Sequence, residues 1–261
     1  VGTKWITFDL DETIMQNPFG KWVFPEIVNM LKKEADTEED ILDLIVSEHL
    51  QRMSEERFLE AYDWDDIITD VAEKLGAVSA IDIERMVIKH SEPPKIYLLE
   101  DNMLDYLEQI KEKGFHLAAA TNGYSKYQLP VLQKLGLDKV FDEVITSDSA
   151  GFAKPNPAVL KKLSDEGEIA AHVGDRIDHD VLLANRLGIL SVFVHRSLPA
   201  EVLSLPVDKR AEQPSCIRLC EEKWHKENRL REVPFMENEC IPKVVVQSIG
   251  ELAESIDFII K

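Results

Sequence analysis

Three cysteines in 261 residues, all in the last third of the chain, are too few and too odd in number for a disulfide framework. They fit a reducing compartment, and a cytoplasmic location is the expectation. Apolar residues make up 44% of the chain, enough for a large core. No run of them approaches the ~20 residues that span a bilayer. Basic side chains are scarce beside acidic ones, 30 against 49, which leaves a formal charge of −19. Such a surface repels nucleic-acid phosphates and anionic headgroups, so neither nucleic acid nor a membrane is an expected partner. The opening Val1-Gly2-Thr3-Lys4 runs straight into an apolar strand, with none of the regions of a signal peptide. Internal repeats are also absent.

What the chain does have begins at its first strand. Trp5-Ile6-Thr7-Phe8 is apolar and closes on Asp9-Leu10-Asp11-Glu12-Thr13. An ionised carboxylate at the end of a buried strand needs a cation or dense hydrogen bonding. The pair therefore suggests a metal site at the carboxyl edge of a sheet, where open α/β folds bind ligands. An acidic turn after a strand is the plainer alternative.

Asn17-Pro18-Phe19-Gly20 reads as a turn joining Ile14-Met15 to Trp22-Val23-Phe24 in a small hairpin. Helical patterns fill the chain from Pro25 to about Glu92. Thr37 with Asp40 resembles a capping box, Asp63 opens a helix ending near Gly76, and another runs from Ile81 to about His90. From Ile96 onward strands and helices alternate. Helices are expected at Leu98–Lys113, Ser125–Leu135, from about Pro157, and at Asp178–Leu187. Strands are expected at Phe115–Ala120, Glu143–Thr146, Ile169–Val173 and Ile189–Val194. This rhythm predicts an α/β fold, a doubly wound parallel sheet. The helical block is then an insertion: residues 1–14 and 97–261 form the core, and 15–96 a helical cap. Residues 198–242, rich in charge and proline, form an irregular excursion before Val244-Val245-Val246 and a last helix from Ile249 to Ile260.

Three further strand ends carry chemistry. Thr121-Asn122-Gly123 sits between an apolar strand and a helix, where a hydroxyl and free N–H groups make a phosphate seat; an ordinary turn uses the same residues. In Ala153-Lys154-Pro155-Asn156-Pro157, Asn156 can cap a helix with Pro157 at its first position, fixing Lys154 nearby to meet an anion; a solvated loop lysine is the alternative. Gly174-Asp175-Arg176-Ile177-Asp178-His179-Asp180 repeats the acidic logic. Hard cations such as Mg²⁺ take carboxylate oxygens, while Asp178 is expected to cap the following helix.

In this order the motifs resemble the haloacid dehalogenase-like hydrolase superfamily, over about residues 4 to 195. Asp9, Asp11 and Thr13 match its DxDxT motif, Thr121 its Ser/Thr motif, Lys154 its third, and Gly174, Asp175 and Asp180 its fourth. The inserted helices look like the family's C1 cap. The phrases Ala120–Gly123 and Ala153–Asn156 are similar to the branch of house-cleaning nucleotidases and N-acylneuraminate-9-phosphatase. The resemblance implies a Rossmann-like core and a Mg²⁺-dependent phosphatase for a small phosphorylated metabolite, as monomer or homodimer. Asp9 would be nucleophile and metal ligand. Asp11 would be acid–base catalyst and lend the metal its backbone carbonyl. Asp175 and Asp180 would complete the metal site. Thr121, Asn122 and Lys154 would hold the phosphoryl group, with Thr121 and Lys154 also catalytic. The dehalogenase branch lacks the second acid, so Asp11 argues against it. A phosphonatase would need a Schiff-base lysine in the cap, where Lys32, Lys33, Lys74 and Lys89 read as solvated. A phosphomutase of the same fold, or a non-catalytic binding protein on this scaffold, stays open as an alternative.

Cys216, Cys220, His225 and Cys240 offer the donor types of a zinc site. Their spacing matches no standard finger, and buried apolar cysteines in a packing helix are the preferred reading. Trp22, Phe24, Tyr62 and Trp64 in the cap could stack on a substrate, but core packing is preferred for them.

Overall fold

A computed structural model describes residues 2–78, 80–228 and 236–260. Val1, Ser79 and Lys261 lie outside the described residues, as do 229–235 of the 198–242 excursion. Strands β1 (Thr3–Phe8), β4 (His116–Thr121), β5 (Glu143–Thr146), β6 (Gly167–Gly174), β7 (Leu190–Val194) and β8 (Val244–Val246) form one parallel sheet. Their order is β5-β4-β1-β6-β7-β8. A separate ribbon pairs β2 (Met15–Gln16) with β3 (Tyr97–Leu98) antiparallel. The doubly wound α/β fold expected from the sequence is the one observed.

Alternation of side chains along β1 sends Ile6 and Phe8 to one face and Trp5 to the other. Ile6 and Phe8 join Leu117, Ala119, Ala171 and Val173 in the main core. Trp5 packs with Ala118, Ala120 and Ile169 beneath Val159, Leu160 and Leu163. Both faces are buried, as a fully parallel sheet requires. Because β1 lies between β4 and β6, their carboxyl ends stand side by side. Phe8 is level with Ala119 on one neighbour and Val173 on the other.

Among the described residues, four α-helices lie between β2 and β3: α1 (Phe24–Ala35), α2 (Ile41–Ser54), α3 (Trp64–Lys74) and α4 (Ile83–His90). Their apolar faces, including Ile27, Leu31, Ile45, Ile67, Val71 and Val87, are continuous with the main core. Arg52, 1% exposed, ties α2 to α3 through Asp66 at 2.7 Å and Asp70 at 2.6 Å. The remaining helices are α5 (Met103–Glu112), α6 (Ser125–Leu135), α7 (Ser147–Ala150), α8 (Lys161–Glu166), α9 (Leu182–Arg186), α10 (Ala200–Leu203), α11 (Pro214–Glu227) and α12 (Ile249–Ile259).

Several local expectations are corrected. Met15 pairs with Leu98, not with Trp22–Phe24. The Asn17 side chain accepts from Phe19 N at 2.9 Å and turns the chain into a wide helical turn, Phe19–Val23, that runs on into α1. Asp40, not Thr37, caps α2, accepting from Asp43 N at 3.1 Å. The helix expected from Leu98 begins at Met103, because Leu98 is taken by the ribbon. After Pro157 comes a short 3₁₀ turn, Pro157–Leu160, before α8; Asn156 caps it as read from the sequence. Asp178 is not a cap: Arg176 holds that position, and the Asp178 carboxylate takes the Arg176 guanidinium at 3.0 and 2.8 Å.

The excursion builds a second core over β7 and β8. Cys216, Cys220, Trp224 and Cys240 pack with Ile177, Val181, Phe193 and Val245. The three cysteines are free and buried, whereas His225 is exposed. This is the packing expected of apolar cysteines.

Candidate active site

Backbone hydrogen bonding carries β1 one residue further: Asp9 N donates to Val173 O at 2.8 Å. The first acid is thereby set beside the end of β6, where Asp175 follows Gly174. Asp9, Asp175 and Asp180 place carboxylate oxygens within 4.8 Å of one another. Among the described residues, this is the group of acids, histidines or cysteines that can hold one ion. Thr13 Oγ1 lies 3.2 Å from Asp9 Oδ2 and 3.3 Å from Asp175 Oδ1, tying the first motif to the fourth. The absent side chain of Gly174 is required here. A Cβ would stand 2.2 Å from the Asp180 carboxylate.

Lys154, 2% exposed, reaches from the loop after α7 to Asp9 at 2.6 Å and Asp180 at 2.7 Å. Asn122 holds that loop in place. Its amide donates to Lys154 O at 3.0 Å and accepts from Lys154 N at 2.7 Å. The Asn122 side chain is thus spent on positioning the loop, which leaves its backbone N–H as the group it can offer a ligand. Thr121 Oγ1 accepts from Gly123 N at 3.1 Å at the end of β4.

Asp11 sits apart from the cluster. Its Oδ2 accepts from Gln128 Nε2 at 2.7 Å, on α6. Gln128 reaches it because Gly123 has no side chain: a Cβ there would lie 2.3 Å from Gln128 Nε2. Gln128, 3% exposed, is a site residue that the sequence reading missed. The sequence carries no mark of it: a glutamine in the first turn of α6 reads as an ordinary helix-face residue until packing brings it to Asp11.

Electrostatics act on both acids of the first motif. Burial pushes Asp9 up to about 8, with Asp180 and Asp175 adding to it and Lys154 opposing it. Asp180 is also buried, yet Lys154 and His172 hold it well below the carboxylate range. His172 Nε2 lies 3.0 Å from Asp180 and Nδ1 2.7 Å from Thr7, so a buried polar chain runs from β1 to the site. Lys154 stays charged despite burial, because Asp180 and Asp9 raise its pKa. Burial raises Asp11 as well, against hydrogen bonds from Asn17 and Gln128.

The donor set tests whether a cation suits the cluster. Three carboxylates, with no sulfur or imidazole among them, are the hard oxygen ligands that Mg²⁺ takes. Buried acids that repel one another, one with its pKa pushed up, are what a dication would relieve. The residues fit.

The sequence profile of the haloacid dehalogenase-like hydrolases matches residues 3–188. This chain belongs to that family. The chain is 28% identical over 208 residues to a glyceraldehyde 3-phosphate phosphatase of Methanocaldococcus jannaschii, covering 72% of this chain and 83% of the relative. Against the glyceraldehyde 3-phosphate phosphatase of Methanopyrus kandleri it is 37% identical over 99 residues, 36% of this chain. That match spans less than half of the relative, 42% of its length. The fold also aligns with the L-2-haloacid dehalogenase of Xanthobacter autotrophicus, at TM-score 0.59 and 17% identity, over 98% of each chain. A likeness at that identity speaks for the fold alone.

Of the four cap lysines weighed for a Schiff-base role, Lys74 and Lys89 lie in surface pairs with Glu48 and Glu26, and Lys32 and Lys33 are exposed. Of the cap aromatics, Phe24 packs against Trp64 with ring centroids 4.9 Å apart, and Phe19 packs against Tyr127 of α6 at 5.5 Å. The first contact packs the cap itself, and the second joins cap to core. Trp22 is the exposed member, stacked on His90. No described helix is long and apolar enough to cross a membrane.

Proposed function

We propose that this protein is a Mg²⁺-dependent phosphatase that hydrolyses a small phosphomonoester through an aspartyl-phosphate on Asp9. The observation that carries the reading is the unequal placing of the first two acids. Asp9 lies in the carboxylate cluster beside Lys154, while Asp11 stands outside it on Gln128. In this reading the first acid meets the cation and the phosphoryl group, and the second moves protons.

Asp9, Asp175, Asp180 and the backbone carbonyl of Asp11 would hold the ion. Bound there, Mg²⁺ offsets charge on the phosphoryl oxygens and keeps Asp9 ionised. Asp9 attacks phosphorus as the P–O bond to the leaving group breaks. Asp11, whose raised pKa suits an acid, gives its proton to the leaving oxygen. It then takes a proton from the water that hydrolyses the aspartyl-phosphate, releasing phosphate and restoring Asp9. Thr121, the Asn122 backbone and Lys154 bind the phosphoryl oxygens as charge shifts. Residues 15–96 act as the cap that closes over the core.

The second acid also favours a phosphatase over a dehalogenase, which needs no proton donor of this kind in its first motif. The M. jannaschii and M. kandleri relatives make a three-carbon phosphomonoester the leading substrate class. The likeness of Ala120–Gly123 and Ala153–Asn156 to nucleotidases and N-acylneuraminate-9-phosphatase keeps nucleoside monophosphates and sugar-acid phosphates in the panel. Purified protein should release phosphate from at least one member of such a panel with Mg²⁺, and not with a chelator. Absence of release from every member would overturn the reading in favour of a binding protein. Transfer to a sugar phosphate in place of water would replace it with a mutase.

A further inference from the structure

Two lysines meet the three acids of the carboxylate cluster, and only one belongs to the motifs. Lys154 bridges Asp9 and Asp180. Asp175 receives a different cation: Lys223 Nζ lies 3.0 Å from its Oδ2. Lys223 is on α11, beyond residue 188 where the family match ends.

This lysine is held in place. One turn further along α11, Glu227 lies 3.5 Å from Lys223 Nζ. Glu227 also accepts from Ile177 N at 3.0 Å and Asp178 N at 3.1 Å, fastening α11 to the loop that carries the fourth motif. On the inner side of the helix, Cys216, Cys220 and Trp224 pack against Ile177 and Val181 of that loop. The buried cysteines therefore anchor a helix whose outer turn delivers a positive charge to a candidate metal ligand.

We propose that Lys223 is a built-in competitor of the divalent cation: it neutralises Asp175 while the cation is absent and weakens the cation's binding. The excursion then sets the Mg²⁺ concentration at which the site fills. The inference rests on the proposed Mg²⁺ site. A unit positive charge held against a ligating carboxylate would repel a dication there and lower its affinity on the order of tenfold even at the dielectric constant of water. An orienting role for Lys223 has the opposite sign, since losing the support of a ligating carboxylate weakens metal binding.

Calorimetric titration of the cation-free protein with Mg²⁺, without substrate, separates the two. Lys223→Met should bind Mg²⁺ about tenfold more tightly than the wild type, and Lys223→Arg should bind as the wild type does. The melting temperature without Mg²⁺ should fall in Lys223→Met and be retained in Lys223→Arg. Should Lys223→Met fail to fold, Lys223→Gln carries the same expectation. Unchanged or weaker binding by the neutral variant overturns the inference and leaves the phosphatase reading intact. No binding by the wild type or any variant overturns the cation site itself, and this inference with it.

Discussion

Two buried cations in this protein are ringed by carboxylates, and only one of the rings looks built for chemistry. In the cap, Arg52 meets Glu48, Asp66 and Asp70. At the sheet edge, Lys154 meets Asp9 and Asp180, with Asp175 close by. Exposure separates them. The side chains of Asp66 and Asp70 are 56% and 43% exposed, so water carries part of their charge. Those of Asp9 and Asp180 are 12% and 2% exposed. In the cap, Lys74 brings Glu48 below the usual carboxylate range, with Arg52 assisting against burial. At the sheet edge, burial drives Asp9 above it. Cation-and-acid clusters are common; acids as sealed from water as these are not, and they point to a ligand.

The sharpest way to break this comparison is to neutralise each ring in turn. Asp9→Asn should lose nearly all phosphatase activity, read as phosphate release per folded molecule. Asp11→Asn should lose ~10²–10⁴-fold in kcat, the usual worth of a positioned acid–base. Equal, small losses in both would dissolve the division of labour between the two acids. Arg52→Met should cost about 3 kcal/mol in denaturant unfolding, the lower end for breaking a buried pair because Asp66 and Asp70 reach water. The protein that stays folded should keep its kcat. A loss of kcat without loss of stability would make the cap ring part of the site.

Gln128→Leu removes a hydrogen bond to the Asp11 carboxylate and should lower kcat about tenfold. It should also move the acid limb or base limb of the kcat–pH profile, which a packing defect alone would not do. The smallest effect concerns Glu48. Its folded pKa is lowered from the usual 4.5, so its contribution is present above that value. It is lost as pH falls through the folded pKa. Glu48→Gln should lower stability slightly near neutrality, by the lost contribution, and flatten its fall with pH on the acid side of about 4.5.

Much of this site is local in sequence, which is why it was legible. Each motif is a strand followed by its own acidic, hydroxyl or lysine-bearing turn, and parallel strands put their carboxyl ends on one edge. The helix Ser125–Leu135 and the strands Glu143–Thr146 and Val244–Val246 fall on the residues expected. What escaped depends on long-range partners. Met15 chose Leu98, far along the chain, over a neighbour across a turn. Gln128 and Lys223 look like ordinary helix-face residues until tertiary packing brings them to Asp11 and Asp175. Asp178 carries the signature of a cap, but Arg176 beside it offers a stronger partner than a backbone N–H.

The proposed chemistry stands or falls on a covalent bond to Asp9. Asp11→Asn, mixed with a turned-over phosphomonoester and Mg²⁺ and quenched in acid within its first turnover, should carry a phosphoryl adduct on the peptide containing Asp9. Slowed hydrolysis of the intermediate makes it accumulate. An adduct on another residue, or turnover that proceeds with no adduct at any quench time, would contradict the account.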